Sequence, residues 1–341
     1  MFIYLVRRMI LLIPTFLGIT LVTFLLINLA PGGPVEQKLQ AMRFAGAMGG
    51  GDGGGGRDSA VSEEVVEALK KQYGFDKPVH VRYFIWLRNL VHLDFGNSFT
   101  YEEPVIDVIA SKFPVSLQFG IASLFLTYIV CIPLGVKKAR QAGGAFDQVS
   151  GLILYFAYSI PPLVLGIFLI VFLAGSSYLN WFPIGGFQSD DYESFTLMGK
   201  IGDRVWHFVL PLCCYVIGSF TELTMLMRNS MLDVIKSDYV RTARAKGLSE
   251  NKVIFKHALR NALIPIATGL SGFFALFLAG SLIIEQIFNL DGIGLLSYQS
   301  ILSRDYNVIM GLTFISSMIL LFGRIFSDVV YVLIDPRIDF K

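Results

Sequence analysis

The chain has 341 residues, of which 54% are hydrophobic and only 16% are charged. A soluble domain carries about 25% charged residues. This composition therefore excludes an ordinary soluble globular protein and indicates that lipid surrounds much of the chain. The formal net charge of +2 is too small to predict nucleic-acid binding. The three cysteines fall inside apolar runs and the four histidines are scattered, which predicts neither a disulfide framework nor a metal site.

Six apolar stretches are long enough to cross a membrane, because a spanning helix needs about 20 mostly apolar residues. They cover residues 9–30, 114–136, 149–173, 206–227, 263–284 and 308–333. The first exceeds the apolar region of about 7–15 residues found in signal peptides, and no clear small-residue cleavage site follows it, so we expect a retained anchor. The sequence therefore predicts an all-α membrane protein with six transmembrane helices.

The distribution of basic residues predicts the orientation of these spans. If the N-terminus lies inside, the short inside segments carry fifteen lysines and arginines, whereas the short outside loops carry only Lys200, Arg204 and Arg304. Because cytosolic loops hold an excess of basic residues, we expect both termini in the cytosol. The basic stretch between the fourth and fifth spans, residues 228–262, then also faces the cytosol.

The long segment between the first two spans, residues 31–113, is predicted to lie outside. Its glycine-rich part, residues 46–58, is of low complexity and predicts a flexible linker. Beyond the linker, Ser62 is placed to cap a helix, and Pro78 and Pro104 suit the first turns of two more. We therefore expect a small helical cap outside the membrane. It separates an N-terminal part (1–30) from a membrane core (114–333) and a cytosolic tail (334–341).

The glycine-rich run has the spacing of a phosphate-binding loop without its chemistry. Arg57 and Asp58 stand where that motif requires Lys and Ser or Thr, the residues that would hold phosphates and Mg²⁺. No nucleophile elbow, metal-binding helix or paired-carboxylate motif occurs elsewhere in the sequence. We therefore expect a protein that is not an enzyme and binds no cofactor or metal itself.

Few ionisable residues fall inside the predicted spans, and two of them are Glu222 in the fourth and Arg324 in the sixth. Each lies sixteen residues past the start of its span, and the two spans run in the same direction, so both side chains would lie at a similar depth. One hypothesis is that they pair and lock the spans together. The alternative is that each reaches toward the interface or faces a watery vestibule. Neither arrangement makes a proton relay, which favours a separate motor protein as the energy source.

The stretch DYVRTARAKGLSENKVIFKHALRNALIP, residues 238–265, predicts two helices that meet at Gly247. Glycine can end the first helix in a left-handed conformation, and Ser249 is placed to cap the second. In the second helix we expect an apolar stripe of Phe255, Leu259 and Leu263 and a basic stripe of Lys252, Lys256 and Arg260 on another face. Basic residues that only set the orientation of the spans would not need two helices, a glycine break and two stripes. The pattern therefore favours a surface that docks on a partner.

This stretch resembles the cytosolic EAA loop of type I ABC importer permeases, in their peptide and nickel branch. Arg241-Thr242-Ala243 occupies the three-residue motif of that loop, and Gly247 is its glycine. Two departures from the general family pattern are that Glu and Ala are missing from the first two motif positions, and that Leu259-Arg260 replaces Leu-Pro, with the proline at Pro265. Both departures resemble the peptide branch.

The resemblance covers nearly the whole chain. It includes the turn Leu93-Asp94-Phe95-Gly96 with Ser98, the run WFPIGGF from Trp181, His207 with Leu210-Pro211, and GSLIIEQIFNLDGIGLL from Gly280. The start APGGPV, the inserted glycine-rich segment and the tail IDPRIDF are similar to the Yej-type permeases, a group that takes up oligopeptides and the peptide antibiotic microcin C.

The resemblance implies a type I ABC importer permease fold with a helical periplasmic insertion between helices 1 and 2, in the bacterial inner membrane. It implies a permease subunit for peptide import that works with a second, homologous permease chain, a periplasmic peptide-binding protein and an ABC ATPase with two fused nucleotide-binding domains, which binds the ATP and Mg²⁺. The contact with the ATPase is expected at Tyr239, Val240, Arg241, Thr242, Ala243, Ala245, Lys246, Gly247 and Leu248. The alternatives are a gradient-driven peptide carrier that needs no ATP and a membrane scaffold that transports nothing.

Overall fold

The computed structural model describes residues 2–29, 75–175, 178–267 and 280–334, together with isolated positions between 32 and 71. Within these ranges the regular secondary structure is helical, and the only β-type pairing is an isolated bridge between Asn97 and Pro104. The described chain therefore has the all-α class that the sequence predicts. Ser62 and the glycine-rich linker lie outside the described residues.

Twelve α-helices are described, together with two π-helical turns, Ile170–Ala174 and Val253–Ala258. The α-helices are α1 (Phe2–Leu29), α2 (Val79–Val91), α3 (Val105–Arg140), α4 (Ala145–Tyr158), α5 (Pro162–Leu169), α6 (Leu197–Ile235), α7 (Asp238–Ala245), α8 (Glu250–Lys252), α9 (Leu259–Ala262), α10 (Leu282–Ile287), α11 (Ile293–Leu302) and α12 (Tyr306–Ile334).

Four of these helices, α1, α3, α6 and α12, are long and apolar enough to cross a membrane, and they contain the first, second, fourth and sixth predicted spans. The helices α3 and α6 have 36 and 39 residues. At a rise of about 1.5 Å per residue they exceed the hydrocarbon thickness of about 30 Å, so both extend into water. The predicted fifth span lies largely outside the described residues, because residues 268–279 are not described.

The predicted third span is not one straight helix. The helix α4 ends at Tyr158, and the chain turns by 90° before α5 and its π-helical turn continue to Ala174. The bend falls at Pro161-Pro162, where the residue before each proline is driven out of the helical region and the proline donates no backbone hydrogen bond. The prediction of a continuous helix over 149–173 is therefore wrong at this point.

The outer segment also differs from its prediction. Pro78 does precede a helix, α2, as expected. Pro104, however, begins no separate cap helix, because the chain from Val105 runs without interruption to Arg140 as α3. Pro114 and Pro133 lie inside this helix without ending it.

The chain folds into two compact units. The second unit, Ile10–Ser111 with Leu296–Ser317, holds its parts together through aromatic and polar contacts. Thr20 of α1 lies 3.0 Å from the Tyr83 hydroxyl of α2. Ser98 donates to the buried Asp305 carboxylate at 2.5 Å, and the other carboxylate oxygen accepts from the Val308 amide at 3.2 Å. The Leu93-Asp94-Phe95-Gly96 turn with Ser98 is thereby fixed to the start of α12.

The first unit, Met1–Met9 with Lys112–Leu295 and Met318–Lys341, contains a close crossing of α3 and α6. A Cβ added at Gly135 would lie 2.6 Å from the Met227 Cβ and 2.8 Å from the Thr224 carbonyl oxygen. Glycine is therefore required here because the two helix backbones approach too closely for a side chain.

We expect Gly135→Ala to destabilise the protein by about 1–3 kcal/mol, the usual cost of forcing an extra methyl group into a packed site. The matched control is Gly218→Ala in α6, where nothing lies within 4 Å of an added Cβ. Thermal unfolding of the purified chain in detergent should show a lower midpoint for the first variant only. Equal midpoints for the two variants would contradict the close crossing.

Candidate functional site

The basic stretch forms a compact loop at the end of α6, and its first helix is α7. Asp238 lies in the first turn of α7, and the helix ends at Lys246 and Gly247. Gly247 has a φ of +76°, and its amide donates to the Arg244 carbonyl at 2.9 Å. An L side chain is strained in this left-handed conformation, which explains glycine at the position and agrees with the sequence prediction.

The second loop helix comprises α8, the π-helical turn Val253–Ala258 and α9, which follow each other without a break over residues 250–262. Ser249 occupies its N-cap position, as predicted, but its side chain makes no capping hydrogen bond. The widened π-helical turn was not predicted. Such turns are rare, and nothing in hydrophobic periodicity distinguishes them from an α-helix.

A buried core fixes both loop helices to the long helices α3 and α6. Val240 of α7 packs with Val253 and Ile254 of the second loop helix, and all three are almost completely buried. The same cluster contains Met227 and Met231 of α6, each with 0% exposure, and Cys131, Val136 and Ala139 of α3. Because protein interiors are close-packed, displacement of the loop must move the ends of α3 and α6 with it.

This core includes residues from two parts of the predicted site. Val240 and Ala243 are buried inside the chain, so neither presents its side chain to a partner. The buried side of the second loop helix contains Val253, Ile254, Ala258 and Ala262, and two residues of the predicted apolar stripe, Leu259 and Leu263, pack against it partly buried. Phe255 of the predicted apolar stripe is 54% exposed.

Polar contacts hold the two loop helices at a fixed angle. Arg244 donates two hydrogen bonds to the Glu250 carboxylate, at 3.1 and 2.8 Å. The Arg244 guanidinium therefore holds the pKa of Glu250 below its ordinary value. The pair stabilises the loop above that ordinary pKa and loses its effect as the pH falls through the lowered one. In addition, Asn261 donates to the Tyr239 hydroxyl at 2.7 Å.

The remaining predicted residues form one solvent-facing surface, which we call the exposed loop face. It consists of Tyr239, Arg241, Thr242, Ala245, Lys246, Gly247 and Leu248, all of which are exposed. Tyr239 and Leu248 are 43% and 36% exposed, and Arg241 lies 3.6 Å from the Asp238 carboxylate one turn earlier on the same helix. Exposed apolar groups beside basic groups on a fixed helix are suited to docking in a partner's groove.

Glu222 and Arg324 are not paired in this structure. Both side chains are exposed, and in the part of the chain that the structure describes no ion pair joins them. Glu222 instead accepts a hydrogen bond from the Tyr158 hydroxyl at 3.4 Å. Tyr158 lies at the end of α4, just before the bend that the sequence did not predict, so this contact could not be anticipated.

Sequence reasoning missed a buried cluster of charges at the ends of α3, α4 and α6. Arg228 donates to both oxygens of the Asp147 carboxylate, at 2.7 and 2.5 Å, and Lys138 lies 3.1 Å from it. Lys138 and Asp147 are almost completely buried. The only signal in the sequence is a carboxylate within a segment of basic residues, and the orientation of the spans already accounts for those basic residues.

A second buried carboxylate, Glu285 of α10, was also missed. It accepts from the Ser116 hydroxyl and from the Leu295 amide, each at 2.8 Å. The neighbouring Phe288 carbonyl accepts from the Gly186 amide at 2.8 Å. The WFPIGGF run and the GSLIIEQIFNLDGIGLL run are therefore parts of one packed region. Among the described residues no group of acidic, histidine and cysteine side chains is arranged to hold a metal.

Comparison with known families agrees with this geometry. Residues 131–340 match the model of the binding-protein-dependent transport system inner membrane component. The chain belongs to this family. It is an inner membrane component with the type I importer permease fold, as its resemblance to ABC importer permeases implied.

The relatives cover essentially the whole chain. The peptidoglycan transport system permease protein YejB of Agrobacterium fabrum is 43% identical over 99% of this chain and 98% of that protein. The inner membrane ABC transporter permease protein YejB of Escherichia coli O157:H7 is 41% identical over 99% of each chain. The oligopeptide transport system permease protein AppB of Bacillus subtilis is 35% identical over 99% of each chain. The predicted likeness to the peptide branch, and within it to the Yej-type group, is confirmed.

We expect Ile254→Ala to loosen the loop, because removing a fully buried isoleucine side chain costs about 2–5 kcal/mol. The α7 amides should exchange their hydrogens faster in this variant than in the unchanged protein. The neighbouring Phe255→Ala removes a larger but mostly exposed side chain and should leave exchange in α7 unchanged. Equal effects of the two variants would show that the loop is not held by the buried core.

Proposed function

We propose that this chain is a permease subunit of an ATP-driven importer that moves oligopeptides across the bacterial inner membrane. A separate ABC ATPase on the cytosolic side drives it through the exposed loop face. The observation that carries this proposal is that the exposed loop face lies on helices whose opposite side is packed into the ends of α3 and α6. A displacement of the exposed loop face is therefore transmitted directly to the spanning helices, because the loop packs against them.

The mechanism is a rigid-body switch between outward and inward openings. When the ATPase domains close, α7 moves with them, and the buried core transmits the displacement to α3 and α6. ATP can bias this switch only if the ATPase holds one orientation of the loop more tightly than the other. Arg244 is held by two hydrogen bonds to Glu250, whereas Arg241 only lies 3.6 Å from Asp238. Arg241, Lys246 and the apolar groups Tyr239 and Leu248 are therefore the groups that we assign to the partner.

The proposed assembly contains four kinds of chain. This permease pairs with a second, homologous permease chain, and the ATPase carries two fused nucleotide-binding domains that bind ATP and Mg²⁺. A periplasmic peptide-binding protein delivers the substrate. The chain itself catalyses no reaction and needs no cofactor, and both of its termini lie in the cytosol. The basic residues of the loop and of the last turn of α3 support this orientation.

The proposed substrates are oligopeptides, including peptides of the microcin C type. The names of the relatives support the peptide class, since they describe transport systems for oligopeptides and for peptidoglycan. Peptidoglycan fragments carry short peptides, so the two names share one chemistry. We assign selection among peptides to the binding protein.

We expect Ala245→Glu to uncouple ATP hydrolysis from peptide uptake, because it places a charge in the centre of the exposed loop face without entering the buried core. In vesicles that contain this chain, the second permease, the ATPase and the binding protein, ATP-dependent uptake should fall by at least about tenfold, equivalent to a loss of about 1.4 kcal/mol in coupling. The ATPase should also co-purify less well with the variant.

The matched control is Ala142→Glu, the same substitution at an exposed alanine in the turn between α3 and α4. Its uptake should remain normal. Full uptake by Ala245→Glu would overturn the docking role of the exposed loop face. Uptake that survives ATP depletion and collapses with a protonophore would instead support a gradient-driven carrier, and vesicles without any uptake of peptides would favour a scaffold.

A further inference from the structure

The outer side of the second loop helix lines two grooves that meet at Phe255 and Leu259. One groove, of about 780 Å³, follows the helix and includes Lys252, Lys256, Arg260 and Leu263. The other, of about 550 Å³, lies between this helix and the end of α3 and includes Ile132, Pro133, Val136, Lys137 and Arg140. We call the two together the basic groove. The exposed loop face contributes no residue to it.

The charges of the basic groove are all of one sign. Among the described residues that line it, five are basic and none is acidic. On α7, by contrast, Arg241 and Arg244 contact the acidic side chains of Asp238 and Glu250. Within the described chain no such ion pair is formed by Lys252, Lys256 or Arg260. Lys252, Lys256 and Arg260 therefore present positive charge that no ion pair within the described residues neutralises, and this part of the groove is complementary to an anion.

The apolar residues of the groove are followed by its basic residues along α3, and they alternate with basic residues on the facing helix. Along α3 the lining changes from Ile132, Pro133 and Val136 to Lys137 and Arg140, at the end of a helix long and apolar enough to cross the membrane. On the facing helix, Phe255 exposes 54% of its surface between the lysines. The polarity thus changes along the groove as it does from the acyl chains to the headgroup of a phospholipid.

We propose that the basic groove binds an anionic phospholipid. The phosphate contacts Lys252, Lys256 and Arg260, and an acyl chain lies against Phe255 and the apolar residues at the end of α3. An acidic segment of a soluble partner fits less well, because the groove continues along α3 to Ile132 and Pro133, which lie within the apolar span predicted for residues 114–136. This binding is separate from the contact with the ATPase and does not depend on it.

The test measures bound lipid directly and needs no transport. The full-length chain is placed in nanodiscs that contain equal amounts of phosphatidylglycerol and phosphatidylcholine with the same acyl chains, and native mass spectrometry counts the lipids that remain bound after release. The chain should retain phosphatidylglycerol in preference. Lys252→Gln/Lys256→Gln should weaken this preference by about fivefold for each charge removed, hence about 25-fold.

The matched control, Lys236→Gln/Lys246→Gln, removes two exposed lysines of the same loop that lie outside the groove. It should keep the preference. An equal loss in both variants would show only a diffuse attraction to anionic surfaces, and no loss in either would show that the groove holds no such lipid. Both outcomes overturn the proposal. So would displacement of the lipid by inorganic phosphate, which indicates a simple anion site, or weaker ATPase binding by the groove variant with unchanged lipid retention.

Discussion

The packing of the loop of residues 238–262 against the ends of α3 and α6 is the contact on which the proposed function depends. Met227 and Met231 of α6 are completely inaccessible to solvent and share one buried cluster with Val240 and Ile254 of the loop. This burial fastens two short helices that would be marginal alone, since an isolated helix shorter than about 12–15 residues is marginal in water. The loop is therefore rigid because of tertiary packing, and a rigid loop can transmit force.

The same region contains the buried charges of Lys138 and Asp147 and the partly buried Arg228, which serve a different purpose. A buried ion pair contributes little net stability, because desolvation of the charges offsets their attraction. Its hydrogen bonds do, however, fix the relative positions of these side chains. Asp147 accepts from Arg228 with both oxygens and also from the Gly143 amide at 3.1 Å. Apolar packing could slide, whereas this cluster holds the ends of α3, α4 and α6 at one relative position. It thus ties α4 to the same ends of α3 and α6 against which the loop packs.

The sequence was informative wherever a local rule decides the structure. Long apolar runs located four of the spans, because lipid tolerates little else. Turn chemistry identified Gly247, since only glycine adopts its φ of +76° without strain. Tertiary effects were not predictable in the same way. The apolar pattern of residues 149–173 continues through the bend at Pro161-Pro162, and periodicity cannot show whether Asp147 faces Arg228 or water. An equal depth for Glu222 and Arg324 likewise says nothing about which way each helix is rotated.

The motif Arg241-Thr242-Ala243 shows how a family pattern combines two requirements on one helix. Ala243 is buried against the core of the chain, so it must be small for the helix to lie close to the second loop helix. Arg241 and Thr242 are exposed and belong to the surface that we assign to the partner. A docking motif that includes a small residue therefore does not place that residue at the interface. The small residue fixes the distance between the helix and its own protein, and its neighbours, held at that distance, are left to meet the ATPase.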